Sequence, residues 1–178
     1  QTPILPANER FIDLLNGYRQ FAMSLKTASR SSDIILKDDT SISAHAEDLW
    51  VFGQNNTFAE QLKPQLDKYG VEIDEQGMTL DNKKFPWENH SFVLALHRNS
   101  SRNNQITWVV ASSGDSIPGL IRKLPHYGKY GYLVFEGNNP DNVVKGMWPS
   151  GGAGLYHTFK KDTYPLPLKM PLIKKNRE

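Results

Sequence analysis

The chain has 178 residues and a mass of 20.2 kDa, enough for one domain whose core hides roughly 70% of the unfolded surface. Hydrophobic residues at 38% and aromatics at 11% supply that core and exclude wholesale disorder; the absence of cysteine excludes disulfide staples, thiolate zinc sites, iron–sulfur clusters and a cysteine nucleophile. A net charge of +2, from 21 Lys+Arg against 19 Asp+Glu, gives no electrostatic case for nucleic acid as a partner, and no apolar run has the length of a membrane-spanning segment.

The first residue is Gln1 rather than Met. Two expectations stay open: a leader has been removed, or the chain is a piece of a longer protein. The first predicted element is a helix over about Asn8–Lys26, with Phe11, Leu14, Leu15, Tyr18, Ala22 and Leu25 at helical spacing and Asn8 as N-cap. Thr27–Ser32 is small and polar, so residues 1–32 read as a helix and a linker. Ile34–Leu36 suits a short strand, and Lys37–Asp48 an irregular stretch.

Leu49–Gly53 (LWVFG) has the continuous apolar character of a buried strand. Asn55, Asn56 and Thr57 then offer helix caps, Thr57 with Glu60 fitting a capping box. Phe58, Leu62, Leu66 and Tyr69 line one helical face, Gly70 ends it, and Pro64 should kink the helix or split it. Asp74–Asn82 reads as a hairpin or irregular. Strands follow at Phe92–His97 and Ile106–Ala111, joined by a polar loop over Asn99–Gln105. Ser112–Asp115 turns the chain, Ser116 is the expected cap, and Ile117, Leu120, Ile121 and Leu124 form a helical face ended by Pro125. Tyr132–Glu136 is the last clear strand.

This order predicts an α/β fold: a three-layer open, mostly parallel sheet of about five strands with flanking helices, over residues 33–158. Residues 159–178 read as a basic arm of net charge +4, drawn extended by Pro165, Pro167 and Pro171.

Candidate chemistry falls in two places. In open α/β sheets ligands sit beyond the carboxyl ends of the strands, which singles out Asn55, Asn56, Thr57, Ser112, Ser113 and Asp115. The loop after Gly53 lacks the Lys-Ser/Thr of a phosphate loop, and the serines lack the G-x-S-x-G frame of a hydrolase elbow. A Ser112 or Ser113 nucleophile with His126 as base and Asp115 as orienter is the weakest alternative. The second place is Arg122–Tyr132, where Arg122, Lys123, His126, Tyr127, Lys129, Tyr130 and Tyr132 crowd cations and aromatics between a helix and a strand. Such a set suits an anionic or carbohydrate ligand, a docking surface, or a loop pinned to the sheet. His45, His90, His97, His126 and His157 make no HExxH and no i, i+4 pair, so no metal site is expected in this chain.

The segment Ile117–Trp148, IPGLIRKLPHYGKYGYLVFEGNNPDNVVKGMW, resembles the C-terminal region of a group of bacterial M1-family zinc metallopeptidases, aminopeptidase N-like enzymes. The likeness runs over about Phe85–Trp148 and does not extend to the first 48 residues or the basic tail. A Ser often stands in that family where this chain has Gly131. The family's HExxH, its third zinc-ligating Glu and its glycine-methionine-glutamate-asparagine motif have no counterpart here, so no catalytic or zinc-binding residue carries over. The resemblance implies a non-catalytic C-terminal accessory domain with a structural, docking or substrate-access role. Its partner would be a peptidase catalytic domain preceding it in the same polypeptide, and zinc would belong only to that domain. It also implies an exported or periplasmic location, with cell-surface association as a further option. The alternative from the residues alone is an independent small-ligand or carbohydrate-binding module.

Overall fold

The computed structural model describes residues 2–6, 12–28, 37–38, 48–97 and 105–149. Its main sheet has seven strands. In chain order these are β1 (Thr2–Leu5), β2 (Lys37–Asp38), β3 (Leu49–Phe52), β7 (His90–His97), β8 (Gln105–Val110), β9 (Tyr132–Glu136) and β10 (Asp141–Gly146). A second, antiparallel sheet holds β4 (Glu72–Ile73), β5 (Gly77–Leu80) and β6 (Lys83–Pro86). The helices are α1 (Ile12–Ala28), α2 (Lys63–Lys68) and α3 (Ile117–Lys123), with 3₁₀ segments at Thr57–Leu62, Gly114–Ser116 and Leu124–Tyr127.

The spatial order of the main sheet is β10-β9-β7-β8-β3-β1-β2. The β1–β2, β1–β3 and β3–β8 pairs are parallel; the β7–β8, β7–β9 and β9–β10 pairs are antiparallel. The α/β class holds, but the sheet is mixed and has seven strands rather than about five. The reason lies in the connections. Residues 98–104 alone join β7 to β8, too short for the crossover that a parallel pair requires.

Side chains alternate across the sheet and build a core on each face. One face carries Phe52, Val93, Val109, Leu133 and Phe135, covered by Tyr18, Phe21 and Ala22 of α1 and by Ile117 and Leu120 of α3. Helix α1 is thus packed into the same core, and the Tyr18 hydroxyl accepts the Ala111 N–H at 3.0 Å. The other face carries Val51, Phe92, Leu94, Leu96, Trp108 and Val134. Its cover comprises Phe58, Leu62 and Leu66 together with Met78, Leu80 and Phe85 of the small sheet. That cover is part helical and part β, not the layer of flanking helices that strand–helix alternation suggests.

Pro64 does split its helix. The 3₁₀ segment ends at Leu62 and α2 begins at Lys63 with Pro64 in its first turn, where a missing N–H costs nothing. The Asp74–Asn82 region is a hairpin whose β5–β6 turn places Asp81 and Asn82 at φ 51° and 62°. Two consecutive left-handed residues match the right-handed twist of the strands they join. Asn8, Phe11, the Ile34–Leu36 strand and the arm at 159–178 lie outside the described residues.

Candidate functional site

Strands β3, β8 and β9 point the same way, so the loops that leave them share one edge of the sheet. Gly53, at φ 88°, donates its N–H to the Val109 carbonyl, and the Trp108 indole N–H donates to the Gly53 carbonyl at 2.9 Å. These bonds hold the Gln54–Asn55 turn beside the end of β8. A cleft of about 380 Å³ opens there, with Gln54, Asn55, Ser112, Tyr18, Trp87 and Glu88 among its walls. A second cleft of about 290 Å³ shares Gln54 and Asn55 and adds Glu60, Lys63, Asp74, Glu75 and Trp108.

The strand-end candidates divide by what their side chains already do. Asn55 and Ser112 line the first cleft. Asn56 is buried, and its amide is consumed: Nδ2 donates to the Ile4 and Phe52 carbonyls at 3.2 and 3.0 Å, and Oδ1 accepts the Phe58 N–H at 3.0 Å. It is the N-cap of the 3₁₀ segment, the place where Thr57 was the expected first member of a capping box. Thr57 and Asp115 are exposed and line neither cleft.

The serines form a hydroxyl network. Ser91 Oγ lies 3.2 Å from Ser112 Oγ and 3.3 Å from Ser116 Oγ, and accepts the Ser112 N–H at 3.0 Å. Ser113 Oγ donates to Asn138 Oδ1 at 2.7 Å, which ties the β8 and β9 exits together. Ser113, not the expected Ser116, caps the following turn: its Oγ accepts the Ser116 N–H at 3.3 Å. Ser116 is buried and donates to the Ser113 carbonyl at 2.8 Å. Both candidate nucleophiles are held by neutral partners, and His126 sits in the 3₁₀ segment that leads toward the start of β9, at the opposite edge. The imagined Ser–His–Asp set is not brought together.

The Arg122–Tyr132 segment is divided between the two faces. Tyr127 and Tyr130 pack on the α1–α3 face, Tyr127 edge-on to Phe135 at 5.6 Å. Tyr132 lies on the other face, where its hydroxyl donates to Asp81 Oδ2 at 2.9 Å. Burial first, then the Asp81 carboxylate, raises the Tyr132 pKa above the ordinary phenol value. Lys123 is anchored, donating to the Pro140 carbonyl at 2.5 Å and pairing with Asp141 at 3.0 Å. Arg122, His126 and Lys129 are exposed.

Trp148 closes this region. Its ring stacks on Tyr69 and lies against Tyr132, each at 4.7 Å between centroids. Gly131 leaves the room it needs and Gly146 the room for Tyr132: a Cβ on Gly131 would come within 2.7 Å of Trp148 Cδ1, and one on Gly146 would run into the Tyr132 ring. The Gly131 N–H donates to the Gly146 carbonyl at 2.8 Å.

Several lining residues carry no signal in the sequence. Trp87, Glu88, Asp74 and Glu75 reach the clefts only because the small sheet folds over the main one. Asp74 organises that hairpin: Oδ1 accepts the Gln76 and Gly77 N–H groups at 2.8 and 2.9 Å, and Oδ2 pairs with Lys84 at 2.7 Å. The Lys84 bond, with the backbone donors, lowers its pKa.

Among the described residues no group of three or more His, Cys, Asp or Glu side chains is placed to hold a metal ion, and no helix is long and apolar enough to cross a membrane. The chain matches no family model, no curated protein and no solved structure.

Proposed function

We propose that this chain is a non-catalytic accessory module of an exported, M1-like zinc metallopeptidase. Its role would be structural or docking, toward a catalytic domain that precedes it in the same polypeptide, and peptide hydrolysis and zinc would belong to that domain. One observation supports this most. The residues that carry the resemblance are engaged in holding the domain together. Trp148 donates to the Ala95 carbonyl, Lys123 fastens α3 to the turn before β10, Tyr132 is bonded to Asp81, and Gly146 makes space for the Tyr132 ring. A motif spent on architecture suits a part that shapes or positions an enzyme, since activity must be argued from a site.

The test is the size and company of the native polypeptide. Immunoblotting source cells with an antibody to this chain should give a band far above 20.2 kDa. Immunocapture should bring down aminopeptidase activity that a chelator abolishes. A band near 20 kDa from an uninterrupted reading frame of that size, without captured activity, overturns the reading.

A second reading, an independent small-ligand or carbohydrate-binding module, draws on the strand-end clefts. Amides of Gln54 and Asn55, the Ser112 hydroxyl, the Glu88 carboxylate and the Trp87 ring meet there, a mixture that suits polyhydroxylated ligands. It requires a thermal shift of the purified chain by a neutral oligosaccharide, and a panel without any shift removes it.

A further inference from the structure

The β10 edge of the main sheet carries a cluster of cations and aromatic rings. Two ammonium groups converge on one ring: Lys129 Nζ lies 5.2 Å and Lys145 Nζ 5.5 Å from the Tyr130 centroid. Lys145 Nζ is also 5.9 Å from the centroid of Tyr127, and the two tyrosine rings are 6.0 Å apart. Neither lysine has a carboxylate partner among the described residues. Asp141, the acidic residue of β10, is paired with Lys123, and Glu136 on β9 accepts from Asn89. Cations over aromatic faces gain from the ring quadrupoles and keep their charge for an incoming anion.

Among the described residues, β10 ends the sheet order and pairs with β9 alone. Val143 and Met147, 43% and 71% exposed, flank Lys145 at alternate positions along the chain. An extended polypeptide can use all three features at once: main-chain groups along the edge, apolar side chains against Val143 and Met147, and carboxylates at the lysines. A lipid surface has no use for the open strand edge.

We infer that β10 and the Tyr127–Tyr130–Lys129–Lys145 cluster form a docking surface for an acidic, extended polypeptide segment. The inference deepens the accessory-module reading, since it names the face that would meet the neighbouring domain and the chemistry of the segment it meets.

The probe is a fluorescein-labelled peptide of alternating glutamate and valine, titrated into the purified 178-residue chain and followed by anisotropy. An alternating glutamine and valine peptide is the control. Saturable binding of the acidic peptide is expected, weakening as salt rises. A K129Q/K145Q variant should bind about tenfold more weakly, two partly exposed charge contacts being lost. Both lysines are exposed, so the variant should stay folded, its melting temperature falling by no more than a few degrees for the lost ring contacts. Absence of binding, equal binding by the variant, or equal binding of the glutamine control overturns the inference. So does charge-dependent flotation with phosphatidylserine vesicles in the absence of peptide binding, which would assign the patch to lipid. The titration uses the isolated chain, so its failure leaves the native-size experiment intact, and the reverse holds too.

Discussion

The indole N–H of Trp148 donates to the carbonyl oxygen of Ala95 at 2.7 Å. Trp148 follows the last strand, and Ala95 lies in β7, two strands further into the sheet. The bond therefore spans β9 and pins the chain's exit from β10. Trp148→Phe keeps an aromatic ring between Tyr69 and Tyr132 but leaves the carbonyl without its donor. A loss of about 1–2 kcal/mol is expected. Trp148→Ala, which also removes two aromatic contacts, should cost about 3–5 kcal/mol. Urea unfolding followed by far-UV circular dichroism measures both, and equal losses for the two variants would show that the ring stacking contributes nothing.

Asn56 holds three backbone groups from β1, the end of β3 and the 3₁₀ segment. Asn56→Ala strands two buried carbonyls and removes a cap. The expected destabilisation is about 2–4 kcal/mol, larger than that of an ordinary cap substitution. Asn55→Ala, one position earlier and exposed, should stay within about 0.5 kcal/mol. Parallel denaturant curves for the pair are the check.

Tyr132 gives the fold an alkaline weakness. Its pKa is raised in the folded state by burial and by Asp81, so the folded chain holds the proton more tightly than the unfolded chain. The stabilisation is complete below the unfolded phenol value near 10 and is lost as pH rises through the folded value. Tyr132→Phe should flatten this part of the stability–pH curve. Unfolding midpoints measured between about pH 8 and pH 11 should fall more steeply in the parent chain than in the variant.

Asp74 works in the opposite direction. Its pKa is lowered, first by the Lys84 hydrogen bond, so its contribution is present above the unfolded carboxylate value and fades as pH falls through the folded one. Protection factors of the Gln76 and Gly77 amides, whose N–H groups it accepts, should fall in acid in the parent chain. In Asp74→Asn the protection factors of the same amides should not change over that range.

Ser112 and Ser113 should be inert toward a fluorophosphonate probe. Their hydroxyls meet Ser91 and Asn138, and among the described residues no imidazole is hydrogen-bonded to either. Mass spectrometry of the treated protein is expected to show no adduct on either serine. A stoichiometric adduct on one of them would revive the hydrolase alternative.

Much of the sheet is legible because its central strands are apolar on both faces: LWVF, FVLALH, ITWVV and YLVFE need no partner to be recognised. The outlying strands are not. β1, beside the edge strand β2, is four residues with a proline in it, and β10, at the other edge, reads DNVVKG, with alternating exposure and a register shift between Asn142 and Val144. A bulged, half-exposed strand carries too few apolar residues to be recognised from its pattern alone. The direction of β7 is legible in the short polar connection before β8, residues 98–104, which cannot carry a parallel crossover. The convergence of the strand-end loops follows from strand direction, and so it could be anticipated. The walls supplied by Trp87, Glu75 and Glu88 could not, since they depend on how one sheet lies over another. Among the tyrosines, sequence showed a crowd but not its division. Tyr127 and Tyr130 precede β9 and Tyr132 begins it, so their split across two faces depends on where that strand starts.

The position of β1 has a mechanical consequence. It lies between β3 and β2, paired in parallel on both sides, although it is the first strand of the sequence. Tension applied to the chain at Thr2 along the strand axis would strain both rows of hydrogen bonds together, in shear, instead of opening one row bond by bond. A tether attached at that end would grip an inner stave of the sheet, and any swing transmitted through it would turn the domain as one rigid lever.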